Sequence, residues 1–240
     1  MNCLYSSLPE KLFLNYGMMA LFQDDNFGRY SFMNIKLKSD FRDFYDHWFA
    51  GSWQKGDCEF ERYSYAGMSR SEMFCLFEKK GFLTPKHGII NSLSKELNLE
   101  DRIVVYLDEF SHRGQNKILC SLKDGLEQYK NFYASQYISG SSGHSLRWLK
   151  IGETVFWIDY KSDNWQSNVG DVRISILSKN KATHKEINFF GEYPLLAIDY
   201  IPFNSSLYAV DFNISPGLSG FGLEEYISAK KIYEEVEKCF

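Results

Sequence analysis

The sequence predicts an α+β fold. Three observations carry that reading: apolar residues recur at the three-and-four spacing of a helix in separated stretches, β-branched and aromatic residues fill short runs through the second half, and no strand–helix–strand unit repeats. The first helix is expected over Asp40 to Phe49, where Phe41, Phe44, Tyr45, Trp48 and Phe49 gather on one face as a core stripe. A second helix opens at Ser69, whose hydroxyl can cap free backbone amides while Glu72 reaches back, and it closes at Gly81 before Pro85.

A strand over Ile103 to Tyr106, a polar turn over Ser111 to Asn116 and a helix from Asp124 to Phe132 follow. Strands are then expected at Leu146 to Ile151 and Thr154 to Tyr160, joined as a hairpin by Gly152 and Glu153. Further strands are expected at Val172 to Leu177, Leu195 to Tyr200 and Leu207 to Phe212. The chain closes on a helix from Glu224 to Lys238, with Tyr226, Ala229, Tyr233 and Val236 on one face.

A chain of 240 residues that is 44% hydrophobic can bury the core of one large domain or two small ones. The five cysteines are an odd, scattered set with no paired spacing, which points to buried free thiols and away from a disulfide framework or a zinc site. Residues Met1 to Tyr16 lack the basic flank and apolar run of a secretory signal, and nothing approaches the roughly 18 consecutive apolar residues of a spanning helix. A cytoplasmic protein without a membrane partner is expected. The formal net charge of -4, with both signs interspersed, gives no footprint for nucleic acid.

The segments Leu195-Leu-Ala-Ile-Asp199 and Leu207-Tyr-Ala-Val-Asp211-Phe-Asn213 put one acid near the end of each of two apolar strands. If those strands pair as a hairpin the acids meet, and Asn213, two positions beyond Asp211, shares its face. Three hard oxygen donors of this kind suit Mg²⁺ carrying phosphate and water in its remaining positions. Residue types alone also allow a plainer reading, in which both acids merely end strands and Asn213-Ile-Ser-Pro-Gly is a turn.

Asp199 followed by Asp211-Phe-Asn213-Ile-Ser215-Pro216-Gly217-Leu218 resembles the metal-binding segment of ATP-grasp ligases, particularly those of the ribosomal-protein glutamate ligase type. There, glutamate stands where this chain has Asp211. Ser145-Leu-Arg147-Trp-Leu-Lys-Ile-Gly152 resembles the family's strand with a central arginine. Asp163-Asn-Trp165-Gln166-Ser-Asn168 resembles its aromatic-Arg-Ser-Asn segment, with Gln166 in place of the basic residue. Phe132-Tyr-Ala-Ser-Gln136-Tyr137-Ile138 resembles its hinge strand, and Lys80-Gly81-Phe-Leu-Thr84-Pro85 its entry to the nucleotide-binding part. The family's strand lysine before a glycine-rich loop is replaced by Val104-Val-Tyr-Leu-Asp108-Glu109, leaving Arg113 and Lys117 as its substitutes or as a solvated basic loop.

The resemblance implies an ATP-grasp-like architecture: two α+β subdomains with a nucleotide cleft between them and a reduced N-terminal part. Residues 1–64 would form that part, 65–138 the first nucleotide-binding lobe and 139–240 the second lobe with the metal site. It implies an ATP-dependent carboxylate–amine ligase working through an acyl phosphate, with ATP and Mg²⁺ as cofactors. Asp199, Asp211 and Asn213 would hold Mg²⁺, and Arg147 would stabilise a developing oxyanion. Arg113 and Lys117 would bind phosphates, Gln136, Tyr137 and Ile138 the adenine, and Ser215, Gly217 and Asn168 the substrate. The partners implied are a small-molecule or peptide carboxylate and an amine, with a homodimer expected. The alternative from the same resemblance is a degenerate domain that binds nucleotide or a partner protein without catalysis.

Among other residues, His112 and His144 are expected in surface loops, and Ser141-Ser-Gly143-His144 lacks the frame of a serine nucleophile. Trp148 and Trp157 read as core of a packed sheet. On sequence grounds Asp211→Ala should abolish Mg-ATP binding with little change in melting temperature.

Overall fold

The computed structural model describes residues 52–55, 58–61, 69–110, 116–138, 143–181, 195–213, 222–227 and 231. The expected helix over Asp40 to Phe49 lies outside them. The first described elements are β1 (Ser52–Lys55) and β2 (Cys58–Glu61), which pair antiparallel.

Helix α1 (Arg70–Lys79) starts where the capping box places it: Ser69 Oγ accepts from the Glu72 amide, and Glu72 takes the Ser69 N–H at 2.8 Å. The chain leaves the helix through Gly81, which at φ 78° has the left-handed backbone that glycine adopts without a Cβ clash. Then come β3 (His87–Ile89), the one-turn α2 (Ile90–Leu93), β4 (Arg102–Tyr106), β5 (Lys117–Ser121), α3 (Leu122–Gln128) and β6 (Tyr133–Gln136). The structure moves α3 two residues upstream of the expected start and ends it four residues early. Ser121 caps the Asp124 amide, and Tyr129 turns out of the helix at φ -135°. Strand β3 and α2 escape periodicity because each is under five residues.

Strands β3, β6, β4 and β5 form, in that order, an antiparallel sheet whose two faces serve different layers. Along β4, Ile103 and Val105 face α2 and α3 with Ile90, Leu93, Leu122 and Ala134. Val104 and Tyr106 alternate to the other face and join the larger core.

The second half is a five-stranded antiparallel sheet ordered β11-β10-β7-β8-β9, built from β7 (His144–Ile151), β8 (Thr154–Ser162), β9 (Val172–Lys181), β10 (Leu195–Phe203) and β11 (Ser206–Asn213). The β7–β8 hairpin turns at Gly152, φ 57°, where the sequence places it. Helix α1 bridges the sheets: Phe74 packs with Tyr106 and Tyr133, and Phe77 meets Phe212 edge-on at 5.7 Å between ring centroids. Trp148 is fully buried in this core and Trp157 packs against it, as expected.

The expected Glu224 to Lys238 helix begins as a 3-10 turn, Leu223–Glu225, which Tyr226 and Ile227 leave; Lys231 is helical, and the remaining residues of that stretch lie outside the described ones. Two expectations are corrected. Cys75 on α1 is exposed, and Cys120 on β5 is half-buried against the core of Ile90, Leu93 and Ile103; both thiols are free. His144 opens β7 and does not sit in a loop; its Nε2 lies 2.6 Å from Oδ1 of the buried Asp159, which also receives Lys161.

Candidate active site

The acids of β10 and β11 meet. Asp199 and Asp211 are direct partners across the β10–β11 ladder, and Arg147 of β7 is the partner of Asp199 on its other side. The three side chains therefore form a row straight across three strands, on the face opposite Trp148, Ile198 and Phe212. A bulge follows this row, between Asp199 and Tyr200, and local twist increases at such a point. Asn213 pairs with Ala197 and, two residues from Asp211, falls on the same face.

Two carboxylates set opposite each other repel, and here each is met by a guanidinium. Arg147 donates from Nε to Asp199 Oδ1 at 2.7 Å and from Nη2 to Oδ2 at 2.8 Å, a planar fork on both oxygens. Arg70, the first residue of α1 and 2% exposed, donates from Nη1 to Asp211 Oδ1 at 2.9 Å. Burial works against the charged form of Arg147, but the charge and hydrogen bonds of Asp199 outweigh it and hold its pKa above the ordinary value. Sequence reasoning missed Arg70. The signal for it is its place: a cation in the first turn of a helix opposes the helix dipole and asks for a nearby anion.

Lys117 adds a third cation. It is the ladder partner of Tyr106, its Nζ lies 5.6 Å from the centre of that ring, and the Arg70 guanidinium lies 5.7 Å from the same ring. Burial, helped by the Arg70 charge and opposed by Asp211 and Asp199, pushes the Lys117 pKa down to about 8. Burial likewise raises the Tyr106 hydroxyl, which hydrogen-bonds Ser135 at 3.0 Å. The site thus gathers Arg70, Lys117 and Arg147 around Asp199 and Asp211, an excess of positive charge suited to a polyanion.

Of the other expected residues, Gln136 ends β6, and Tyr137 and Ile138 follow it, with Tyr137 edge-on to Trp165 and the Arg102 guanidinium 5.3 Å from its ring centre. Asn168 lies exposed in the turn after β8, which is tied to β7 where Ser145 donates to Ser167 at 2.6 Å. Arg113, Ser215, Gly217 and His112 lie outside the described residues. Among the described residues no group of three or more His, Cys, Asp or Glu gathers as a metal site, so the expected set depends on the Asn213 amide as its third donor.

No family model and no curated protein matches this sequence. Solved structures do match. The ATP-grasp ligase PsnB, in complex with a phosphomimetic variant of its minimal precursor, Mg and ADP, superimposes at TM-score 0.52 and 11% identity, covering 73% of this chain and 60% of PsnB. With the minimal precursor alone the TM-score is 0.51, again at 11% identity, over 71% of this chain and 60% of PsnB. The D-alanine–D-alanine ligase of Bacillus anthracis gives 0.47 at 11% identity, over 74% of this chain and 69% of that one. This is an ATP-grasp fold. The chain spans about 60% of the length of PsnB. The two antiparallel sheets of this ATP-grasp fold carry the charged row and the Lys117 strand respectively.

Proposed function

We propose that the protein is an ATP-dependent carboxylate–amine ligase that activates a carboxylate as an acyl phosphate and passes it to an amine. The observation that carries this reading is the Asp199–Asp211 ladder pair set among three cations on an ATP-grasp fold. The branch proposed is that of the ribosomal-protein glutamate ligase type, acting on a small-molecule or peptide carboxylate in the cytoplasm. PsnB is described in complex with a precursor, Mg and ADP, which supports the same classes of ligand here.

The residues fit the ligands proposed. Each carboxylate oxygen has two lone pairs, so the arginine bonds to Asp199 and Asp211 leave acceptor positions for a divalent ion, with Asn213 adding an amide oxygen. Magnesium held by Asp199, Asp211 and Asn213 would neutralise charge on the phosphates as the terminal phosphoryl group moves. Arg70 and Lys117 bind phosphate oxygens, and Arg113 joins them. Arg147 offers the donors outside its Asp199 fork to the terminal phosphoryl group and to the oxyanion that develops on the carboxylate reacting with it. The Tyr137 hydroxyl, buried without a hydrogen-bond partner among the described residues, favours a polar ligand atom beside Gln136 and Ile138, where adenine would lie. Ser215, Gly217 and Asn168 border the substrate.

The second reading, a degenerate domain that binds nucleotide or a partner without catalysis, is favoured by one observation: both acids are already neutralised by arginines. Mg-ATP calorimetry followed by ADP release on offering mixed carboxylates and amines separates the two. Turnover supports the ligase, binding without turnover supports the degenerate domain, and no binding refutes both.

A further inference from the structure

Tyr160 shares the face of the charged row and has no part in the reading above. It lies on β8 opposite Ser145 of β7, one diagonal step from Arg147, and the Arg147 guanidinium carbon sits 5.3 Å from its ring centre. Burial first, and Asp199 with it, push the Tyr160 hydroxyl pKa up against the opposing charge of Arg147 and its hydrogen bond to that hydroxyl, so the side chain is neutral at physiological pH. Asp199 grips two of the five guanidinium N–H groups in one plane. That fork fixes an axis but lets the guanidinium tilt about it; an aromatic face against the cation removes the tilt.

We propose that Tyr160 is a positioning residue whose ring holds the Arg147 guanidinium in the plane from which its remaining donors meet the terminal phosphoryl group of a bound nucleoside triphosphate. The proposal rests on the ligase reading, since it needs a nucleotide in the cleft. The ring face carries the larger part of this positioning, and the hydroxyl adds a hydrogen bond to the same guanidinium.

The test uses the full chain, with Mg-AMPPNP and Mg-ADP titrated by calorimetry into wild type, Tyr160→Phe and Tyr160→Ile, the last being a strand former beside Ile174. Tyr160→Ile is expected to weaken AMPPNP roughly 3- to 10-fold while ADP, which lacks the terminal group, stays within about twofold. Tyr160→Phe, which keeps the ring and loses the hydroxyl's hydrogen bond to Arg147, should lose clearly less than Tyr160→Ile. Equal AMPPNP affinity in Tyr160→Ile, equal loss of both nucleotides, or a loss in Tyr160→Phe as large as in Tyr160→Ile overturns the proposal while leaving the ligase reading intact. If Tyr160→Ile does not fold, Tyr160→Met is read the same way. A wild-type chain that binds neither nucleotide overturns the reading on which the proposal stands.

Discussion

Asp199 and Asp211 stand opposite each other on β10 and β11, yet each is bound by an arginine from a different element, Arg147 on β7 and Arg70 on α1. The pairings differ in kind. Arg147 and Asp199 are neighbours within one sheet and both partly exposed, whereas Arg70 is buried and reaches Asp211 from the helix that joins the two sheets. The acids therefore have structural work beside any role toward a ligand.

Asp211→Ala shows the consequence. Sequence alone predicts lost nucleotide binding at constant stability, but removing this carboxylate strips a buried guanidinium of an ion partner. Breaking such a pair from one side costs about 2 to 4 kcal/mol, which lowers the melting temperature by roughly 5 °C or more. Thermal melts should show this drop in Asp211→Ala and a smaller one in the Arg70→Met/Asp211→Ala double variant, which leaves no uncompensated charge. Equal drops in the two would mean that the pair is not coupled.

Metal removal tests the carboxylates as ligands. If Asp199, Asp211 and Asn213 hold Mg²⁺, chelation with EDTA should weaken ATP by about tenfold or more, roughly 1.4 kcal/mol, and Asp199→Asn should make the remaining affinity insensitive to chelator. Calorimetry in both conditions decides it: ATP affinity unchanged by EDTA would assign the acids to the arginines alone.

Lys117 gives a pH dependence whose sign follows from its depressed pKa of about 8. Below pH 8 the folded and unfolded chains both carry the proton, and the full cost of burying the ammonium is present. Between about 8 and its ordinary 10.5 the folded chain has shed the proton and the unfolded chain has not, so stability rises with pH. Lys117→Met should be more stable than wild type at pH 7 by roughly 1 to 3 kcal/mol and should lose that rise. Nucleotide affinity should run the other way, full below pH 8 and falling above it as the ammonium is lost. Denaturant titrations and calorimetry at pH 7 and 9.5 check both halves.

How far the site was legible follows from how local each signal is. Ser69 and Glu72 are three residues apart and mark the start of α1 without tertiary information; the Gly152 turn and the Asp199–Asp211 register are set within single hairpins by alternation. Arg70 is different, since its burial depends on α1 docking against β11, more than a hundred residues away in sequence. His144 was expected in a loop because nothing nearby in sequence shows that Asp159 will sit beside it across the β7–β8 hairpin. The capping box and the hairpin registers are readable from alternation and spacing; the Asp159 partner of His144 and the contacts between the sheets are not.

The capping box gives a local prediction with a tertiary control. Ser69→Ala removes the acceptor for the Glu72 amide and should cost about 1 kcal/mol. Glu109 still accepts the Arg70 amide through its carbonyl and the Ser71 amide through its carboxylate, so α1 stays in place and carries Arg70 to Asp211 as before. Denaturation should register the loss while ADP affinity remains within about twofold.

Gly143, at the entrance to β7, ties backbone conformation to the site. Its φ of 68° lies in the left-handed region, and a Cβ there would meet the backbone carbonyl oxygens of Ser162 and Asn164. Neither can move as a flexible side chain would, because the Ser162 amide donates to the Gly143 carbonyl at 2.8 Å and the Gly143 amide to Trp165. Gly143→Ala should therefore cost more than the 1 to 2 kcal/mol of left-handed backbone alone, on the order of 2 to 4 kcal/mol. The strain falls on the turn that carries Ser167 and Asn168, so the Ser145–Ser167 bond beside Tyr160 and Arg147 should loosen with it. Amide exchange in residues 163–171 should accelerate in the variant, while exchange in β4 and α3, on the other sheet, should stay at wild-type rates.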